Sequence, residues 1–116
     1  MSWPPLWAGQ RRTVVEQMPL NILGYVYVLD ASKSIDDLKV AGRSSPLHQT
    51  IVLARELSEQ QKQSTLLHEV LELLNHHLGL ELRESKILAL EAGLYYVLTQ
   101  NGVELRPLLG GGQKCQ

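Results

Sequence analysis

The stretch from Thr65 to Leu74 places three groups that can bind a metal or a proton among aliphatic residues. These groups are the imidazole of His68 and the carboxylates of Glu69 and Glu72. Residues four apart on an α-helix project from nearly the same face, so His68 and Glu72 can bind one ion together. Glu69 stands next to His68, where a carboxylate can take a proton from a metal-bound water. The spacing indicates metal-assisted hydrolysis, and the alternative is a solvated acidic edge of an amphipathic helix.

A helix over residues 59–78 is predicted to carry these groups. Ser58 and Gln61 have the spacing of a capping box, which satisfies two free backbone amides at a helix start. Gly79 suits the left-handed residue that ends a helix. At about 100° per residue, the metal-capable groups border the apolar stripe rather than oppose it. The predicted stripe consists of Leu67, Val70, Leu71, Leu74 and Leu78.

A second helix is predicted from about Glu84 to Thr99, closed by Asn101 and Gly102. Glu91 falls inside or at the edge of the apolar face of this helix. An ionised carboxylate there is costly unless it is paired or binds a cation, so Glu91 is expected to converge with His68 and Glu72. The alternative is a boundary residue that reaches water or pairs with a base such as Arg83. The apolar face consists of Ile87, Leu90, Leu94, Val97 and Leu98.

The region before the helices is predicted to form a small sheet. Residues 22–29 and 47–54 are rich in β-branched, aromatic and aliphatic side chains and are predicted to be strands. Residues 30–45 are polar and are predicted to be a loop with a short helical turn at 34–38. The two strands can pair antiparallel. The two helices are expected to pack antiparallel, with the sheet on the other side of the His68 helix.

This order of elements resembles the minimal zincin domains of ImmA/IrrE-type and SprT-like phage and prophage metallopeptidases. The resemblance spans about residues 22–100. Its most specific parts are 51–54 leading through Ser58 to Thr-Leu-Leu-His-Glu at 65–69, and Leu-Glu-Ala-Gly-Leu-Tyr at 90–95. The resemblance implies an α+β fold in which a short antiparallel sheet packs on an active-site helix and a second, C-terminal helix.

The resemblance also implies roles for four side chains. In such proteins the first histidine of the motif binds zinc, which corresponds to His68, and the next glutamate is the general base, which corresponds to Glu69. The second and third ligands correspond to Glu72 and Glu91. The usual motif is H-E-x-x-H, and this chain has Glu72 in place of the second histidine. One imidazole and two carboxylates form a harder set, which is expected to shift preference from Zn²⁺ toward Mn²⁺ or another divalent ion.

Three hypotheses about function follow. The first is a metal-dependent hydrolase, in particular a peptidase. The second is a catalytically weak or inactive zincin-like scaffold that acts as a protein-interaction module. The third is a different ligand set, in which His76 or His77 joins His68 and Glu91. His76 lies about 12 Å along the helix axis from His68, so joint binding would need a bend. His48 can approach the cleft or lie on the surface.

Length and composition favour one domain. The chain has 116 residues, 44% of them hydrophobic, enough for a single core. We expect an extended segment over 1–19, a domain over 20–105 and a flexible tail over 106–116. Pro4 and Pro5 forbid a regular helix or ladder near the N-terminus. The two tryptophans beside them are expected to cap the core or to contact a partner.

Charge and cysteine content narrow the classes of partner. Eleven Lys and Arg against 12 Asp and Glu create no global basic field, so nucleic acid is not indicated. The single cysteine, Cys115, rules out an internal disulfide framework and favours a reducing compartment. No signal peptide or apolar membrane span is recognisable. We expect a cytoplasmic protein that binds a peptide or protein, as substrate or as partner.

Overall fold

A computed structural model of the protein describes residues 17–105. The predicted tail over 106–116, with its cysteine, lies outside the described residues. So do the N-terminal tryptophans and most of the segment expected to be extended over 1–19. In the part that the structure describes, no helix is both long and apolar enough to cross a lipid bilayer.

Four strands form one mixed sheet. They are β1 (Gln17–Ile22), β2 (Tyr25–Lys33), β3 (Gly42–Ser45) and β4 (Thr50–Ala54), and their spatial order is β1-β2-β4-β3. β1 pairs antiparallel with β2, and β3 pairs antiparallel with β4. The predicted α+β class is confirmed.

The two strands predicted from the sequence, β2 and β4, pair parallel, with Leu29 opposite Ile51. The expectation that they pair antiparallel is therefore wrong. The segment between them is not a simple loop, because it contains the short helix α1 (Ile35–Leu38) and then β3. These elements provide the long crossover that a parallel pair requires. The helical turn predicted over 34–38 is confirmed, with Ser34 as its N-cap.

β1 is a strand that the sequence pattern did not predict. It begins at Gln17, inside the segment expected to be extended without pairing, and it contains Pro19 opposite Val28. Proline donates no ladder hydrogen bond and is tolerated on an edge strand. β1 is such an edge strand. Its alternation nevertheless places three apolar side chains toward the core, namely those of Met18, Leu20 and Ile22.

The core lies between one face of the sheet and the helix α2 (Glu59–Leu78). The predicted capping box of Ser58 and Gln61 is present, and Gly79 ends the helix with φ 61°. Leu66 and Leu73 are the fully buried leucines of α2, while Val70 and Leu74 are partly buried. Leu78 of the predicted stripe is exposed. The face of α2 toward the sheet is therefore rotated by about one residue from the predicted stripe.

The last helix, α3 (Glu84–Gln100), packs against α2. Ser64 contacts Glu91, whereas Asn75, later in α2, contacts Leu82 just before α3. The helices are thus antiparallel, as predicted. Ile87 is buried, but Leu90, Leu94 and Val97 of the predicted stripe are exposed. α3 packs mainly against α2, and most of its predicted apolar face does not join the core.

Candidate metal centre

His68 lies at the centre of a cluster of glutamates between α2 and α3. Its Nε2 atom is 3.2 Å from Oε2 of Glu72 and 3.3 Å from Oε2 of Glu84. Glu72 lies one turn further along α2, and Glu84 is the first residue of α3. Ligand atoms of these three side chains all lie within 4.8 Å of one another. One imidazole nitrogen and two carboxylate oxygens are therefore close enough to bind a single ion.

Glu91 contacts the other nitrogen of the same ring. Its Oε1 atom is 2.9 Å from Nδ1 of His68, and its Oε2 atom accepts a hydrogen bond of 3.1 Å from the hydroxyl of Ser64. The expectation that Glu91 approaches His68 is met, but Glu91 lies on the opposite side of the ring from Glu72. Its assignment as a ligand stays a prediction, and the geometry offers Glu84 instead. A carboxylate on the far nitrogen is the usual partner that orients a metal-binding histidine.

Glu84 was not predicted as a site residue, although its position has a local cause. The side chain of Asn75 accepts a hydrogen bond from the backbone N–H of Leu82 at 2.9 Å and donates one to its carbonyl at 3.2 Å. This pair of bonds holds the connection between the helices against α2, so α3 begins beside His68. An asparagine in the last turn of a helix, followed by a short connection and a glutamate, is a signal that could have drawn attention to Glu84.

Glu69, the predicted general base, is the one buried charged side chain among the described residues, with 7% of its surface exposed. It lies on the same face of α2 as Leu66 and Leu73, toward the sheet. Burial raises the pKa of Glu69, and the charges of Glu84 and Glu91 add to this rise. A hydrogen bond from Ser44 and the nearby imidazole act in the opposite direction without reversing it.

Ser44 reaches Glu69 because β3 lies very close to α2. A Cβ atom added at Gly42 would lie 2.5 Å from Cγ2 of Thr65, too short for any real contact. Glycine is therefore needed for this strand to approach the helix. Ser44 stands opposite Ile51 in the ladder, so its side chain points to the same inner face of the sheet.

The carboxylates of Glu72 and Glu84 are close enough to change the pKa of Glu72. Burial raises the pKa of Glu72, and a hydrogen bond with Glu84 together with the charge of Glu84 raises it further. Two carboxyl groups can share a hydrogen bond only when one of them holds a proton. A bound cation can take the place of that proton.

For His68, burial lowers the pKa, but the hydrogen bond to Glu91 and the nearby carboxylates outweigh it and raise the pKa overall.

The other histidines have partners elsewhere. Nε2 of His77 is 2.6 Å from the hydroxyl of Tyr27, and its ring stacks on Tyr25 with centroids 4.4 Å apart. His76 contacts the edge of the His77 ring. His48 lies 3.1 Å from the hydroxyl of Ser45. None of these described contacts involves the His68 cluster, so the structure does not support the alternative ligand set.

Comparison with known proteins finds no match to this chain among protein-family models, curated proteins or solved structures. The resemblance to zincins therefore rests on the sequence motifs alone.

Proposed function

We propose that this protein is a divalent-metal-dependent hydrolase that cleaves a peptide bond. His68, Glu72 and Glu84 would bind the ion, Glu91 would orient His68, and Glu69 would serve as general base. The observation that carries the proposal is that the two ring nitrogens of His68 contact different carboxylates: Nε2 contacts Glu72 and Glu84, and Nδ1 contacts Glu91. Without a metal, a proton on Nε2 would be donated to Glu72 or Glu84; a bound ion would replace that proton, while Nδ1 would keep the one donated to Glu91. This is the tautomer that a metal ligand requires.

The chemistry of the donor set fits a divalent cation. Four glutamates surround a single imidazole, and their mutual repulsion destabilises the ionised cluster. A divalent ion would offset this repulsion while leaving the site with a net negative charge. One nitrogen and two oxygen ligands suit Mn²⁺ and Zn²⁺, with the second carboxylate favouring Mn²⁺ relative to a two-histidine site.

The proton-transfer role is assigned to Glu69. A bound divalent ion would polarise the substrate carbonyl and acidify a coordinated water. The raised pKa of Glu69 makes its carboxylate a stronger base, as a group that accepts a proton and returns it to the leaving amine needs. The hydrogen bond from Ser44 restrains the carboxylate, and its burial keeps bulk water from competing for the proton.

A second candidate function is a zincin-like scaffold without turnover that acts as a protein-interaction module. Two observations favour it. Glu69 is almost fully buried and bonded to Ser44, as expected for a structural carboxylate. Leu90, Leu94 and Val97 of α3 are exposed and form an apolar surface of the kind that partners cover.

Metal content and stability test the proposal first. Elemental analysis of protein purified without an affinity tag should find a divalent metal. Added Mn²⁺ at 100 times its Kd should raise the free energy of unfolding by about 2.7 kcal/mol. The melting temperature should rise accordingly, and a chelator should reverse the rise. Glu81 is exposed and lies outside the cluster, so Glu81→Gln is a matched control that should retain the effect. A melting temperature indifferent to Mn²⁺, Zn²⁺ and chelator would exclude the metalloenzyme.

Glu69→Gln then separates the two candidates. A hydrolase should lose peptide cleavage with this change while it still binds metal. An interaction module should retain its protein partner, which can be checked by pull-down with the wild-type chain and the variant in parallel.

A further inference from the structure

An open groove runs beside the His68 cluster, between the first half of α2 and the second half of α3. It encloses about 460 Å³. We call it the α2–α3 groove. Its lining consists of Gln60, Gln61, Ser64, Glu91, Ala92, Tyr95 and Tyr96. Glu91 also contacts His68, and Ser64 contacts Glu91, so the groove and the candidate metal centre share a wall. A molecule whose reacting group sits at His68 would extend into this groove.

The electrostatic character of the groove selects against anions. Among the described residues that line it, the only charged side chain is Glu91. Glu72 and Glu84 lie just beyond, on the other side of His68. One divalent ion would not neutralise these carboxylates together with Glu69. A phosphate or carboxylate in the groove would therefore be repelled, whereas a cation would be attracted.

The tyrosines add a second preference. Tyr96 lines the groove and is 64% exposed as a residue, so its ring is available to a ligand. Tyr95 is partly buried beside it. The face of an aromatic ring attracts a cation, and the planar guanidinium of arginine both stacks on such a face and hydrogen-bonds a carboxylate. A ring and a carboxylate in one groove therefore suit arginine better than a neutral or acidic side chain.

We propose that the α2–α3 groove binds an arginine side chain of the polypeptide substrate, adjacent to the bond that is cleaved. The inference rests on the proposed function for its place in a reaction, but binding itself can be measured without turnover. Tyr96 supplies the stacking surface and Glu91 the negative charge. Gln60 also lines the groove, where its amide group can contact the backbone of the same polypeptide.

The test uses blocked pentapeptides that differ only in the central residue, which is arginine, citrulline or glutamate. Citrulline has the shape of arginine without its charge. The full chain is titrated with each peptide in the presence of a chelator, and binding is followed by the NMR shifts of Tyr95 and Tyr96. One side chain is expected to bind in the millimolar range. Arginine should bind about fivefold more tightly than citrulline, and glutamate more weakly than both.

Two variants on one helix make the comparison specific. Tyr96→Ala should reduce the advantage of arginine over citrulline to less than about twofold. Val97→Ala is the matched control, because Val97 is exposed on α3 but does not line the groove, and it should retain the full advantage. Three results would each overturn the proposal. They are equal affinity for the arginine and citrulline peptides, equal affinity for the arginine and glutamate peptides, and no change in the NMR shifts of Tyr95 and Tyr96.

This titration and the separate measurement of metal binding together distinguish the inference from the proposed function. An arginine preference in a protein that binds no metal would support the groove as a recognition site and exclude the proposed hydrolase activity. Metal binding without an arginine preference would remove the groove proposal alone.

Discussion

Glu91 lies 2.9 Å from Nδ1 of His68, and this contact leaves Nε2 to face Glu72 and Glu84. The two nitrogens of one ring thus have different partners, and the difference gives the carboxylates different roles. The contact also links the two helices, since His68 belongs to α2 and both Glu84 and Glu91 belong to α3. Exchange of a single glutamate should therefore reveal which side of the ring binds metal.

We expect Glu84→Gln to weaken Mn²⁺ binding more than Glu91→Gln does. The amide oxygen of a glutamine at position 91 can still accept the proton of Nδ1, whereas a neutral amide at position 84 is a poorer ligand. Glu91→Ala removes the acceptor and should cost about 10- to 100-fold in affinity. Competitive titration with a metal indicator measures all three. The reverse order, with Glu91→Gln the more damaging, would identify Glu91 as the third ligand.

Glu72→His should tighten Zn²⁺ binding. The change restores two histidines four residues apart on one face of α2, and imidazole suits zinc better than a second carboxylate does. Mn²⁺ should gain less than Zn²⁺, so the ratio of the two affinities is the informative quantity. Unchanged affinity for both ions would place position 72 outside the set of ligands.

Leu73→Ala should lower the free energy of unfolding by about 2 to 5 kcal/mol, because it leaves a cavity between α2 and the sheet. Leu73 is 1% exposed. The sequence pattern assigned this role to Leu71, which is only partly buried, so Leu71→Ala should cost less. Leu90→Ala, at an exposed position on α3, is the control. Chemical denaturation measures each loss, and equal losses at positions 71 and 73 would contradict the observed orientation of α2.

Asp30 should make stability depend on pH at the acidic end. Burial tends to raise the pKa of Asp30, but hydrogen bonds from Ser32 and Gln17 and the charge of Lys33 outweigh it, and the pKa is lowered from its usual 3.8. A carboxylate with a lowered folded-state pKa stabilises the fold above its unfolded pKa, and this contribution is lost as pH falls through the folded pKa.

Asp30→Asn should therefore destabilise the protein at pH 7, and the difference from wild type should shrink as pH falls below about 3.8. Urea denaturation at several pH values gives the comparison. Asp37→Asn, at an exposed position of α1, is the control and should show a smaller change with pH. A difference that stays constant down to pH 2 would show that the charge of Asp30 is not what stabilises this region.

Local signals in the sequence determined the helices and one edge of the site. Ser58, Gln61 and Gly79 mark the ends of α2 through hydrogen bonds within a few residues, and the observed bounds agree. The pairing of His68 with Glu72 follows from helix geometry alone, because four residues make about one turn.

Contacts between distant segments decided the rest. The parallel pairing of β2 with β4 depends on how α1 and β3 cross between them. The sequence did not predict β1, because its Pro19 is acceptable in a strand only at the edge of a sheet. Glu84 reaches His68 because Asn75 holds the connection between the helices, and Ser44 reaches Glu69 because Gly42 permits a close approach. Sequence periodicity specifies which face of an element is apolar, but only packing against other elements specifies what that face meets. Only the tertiary structure therefore shows which nitrogen of His68 each carboxylate contacts.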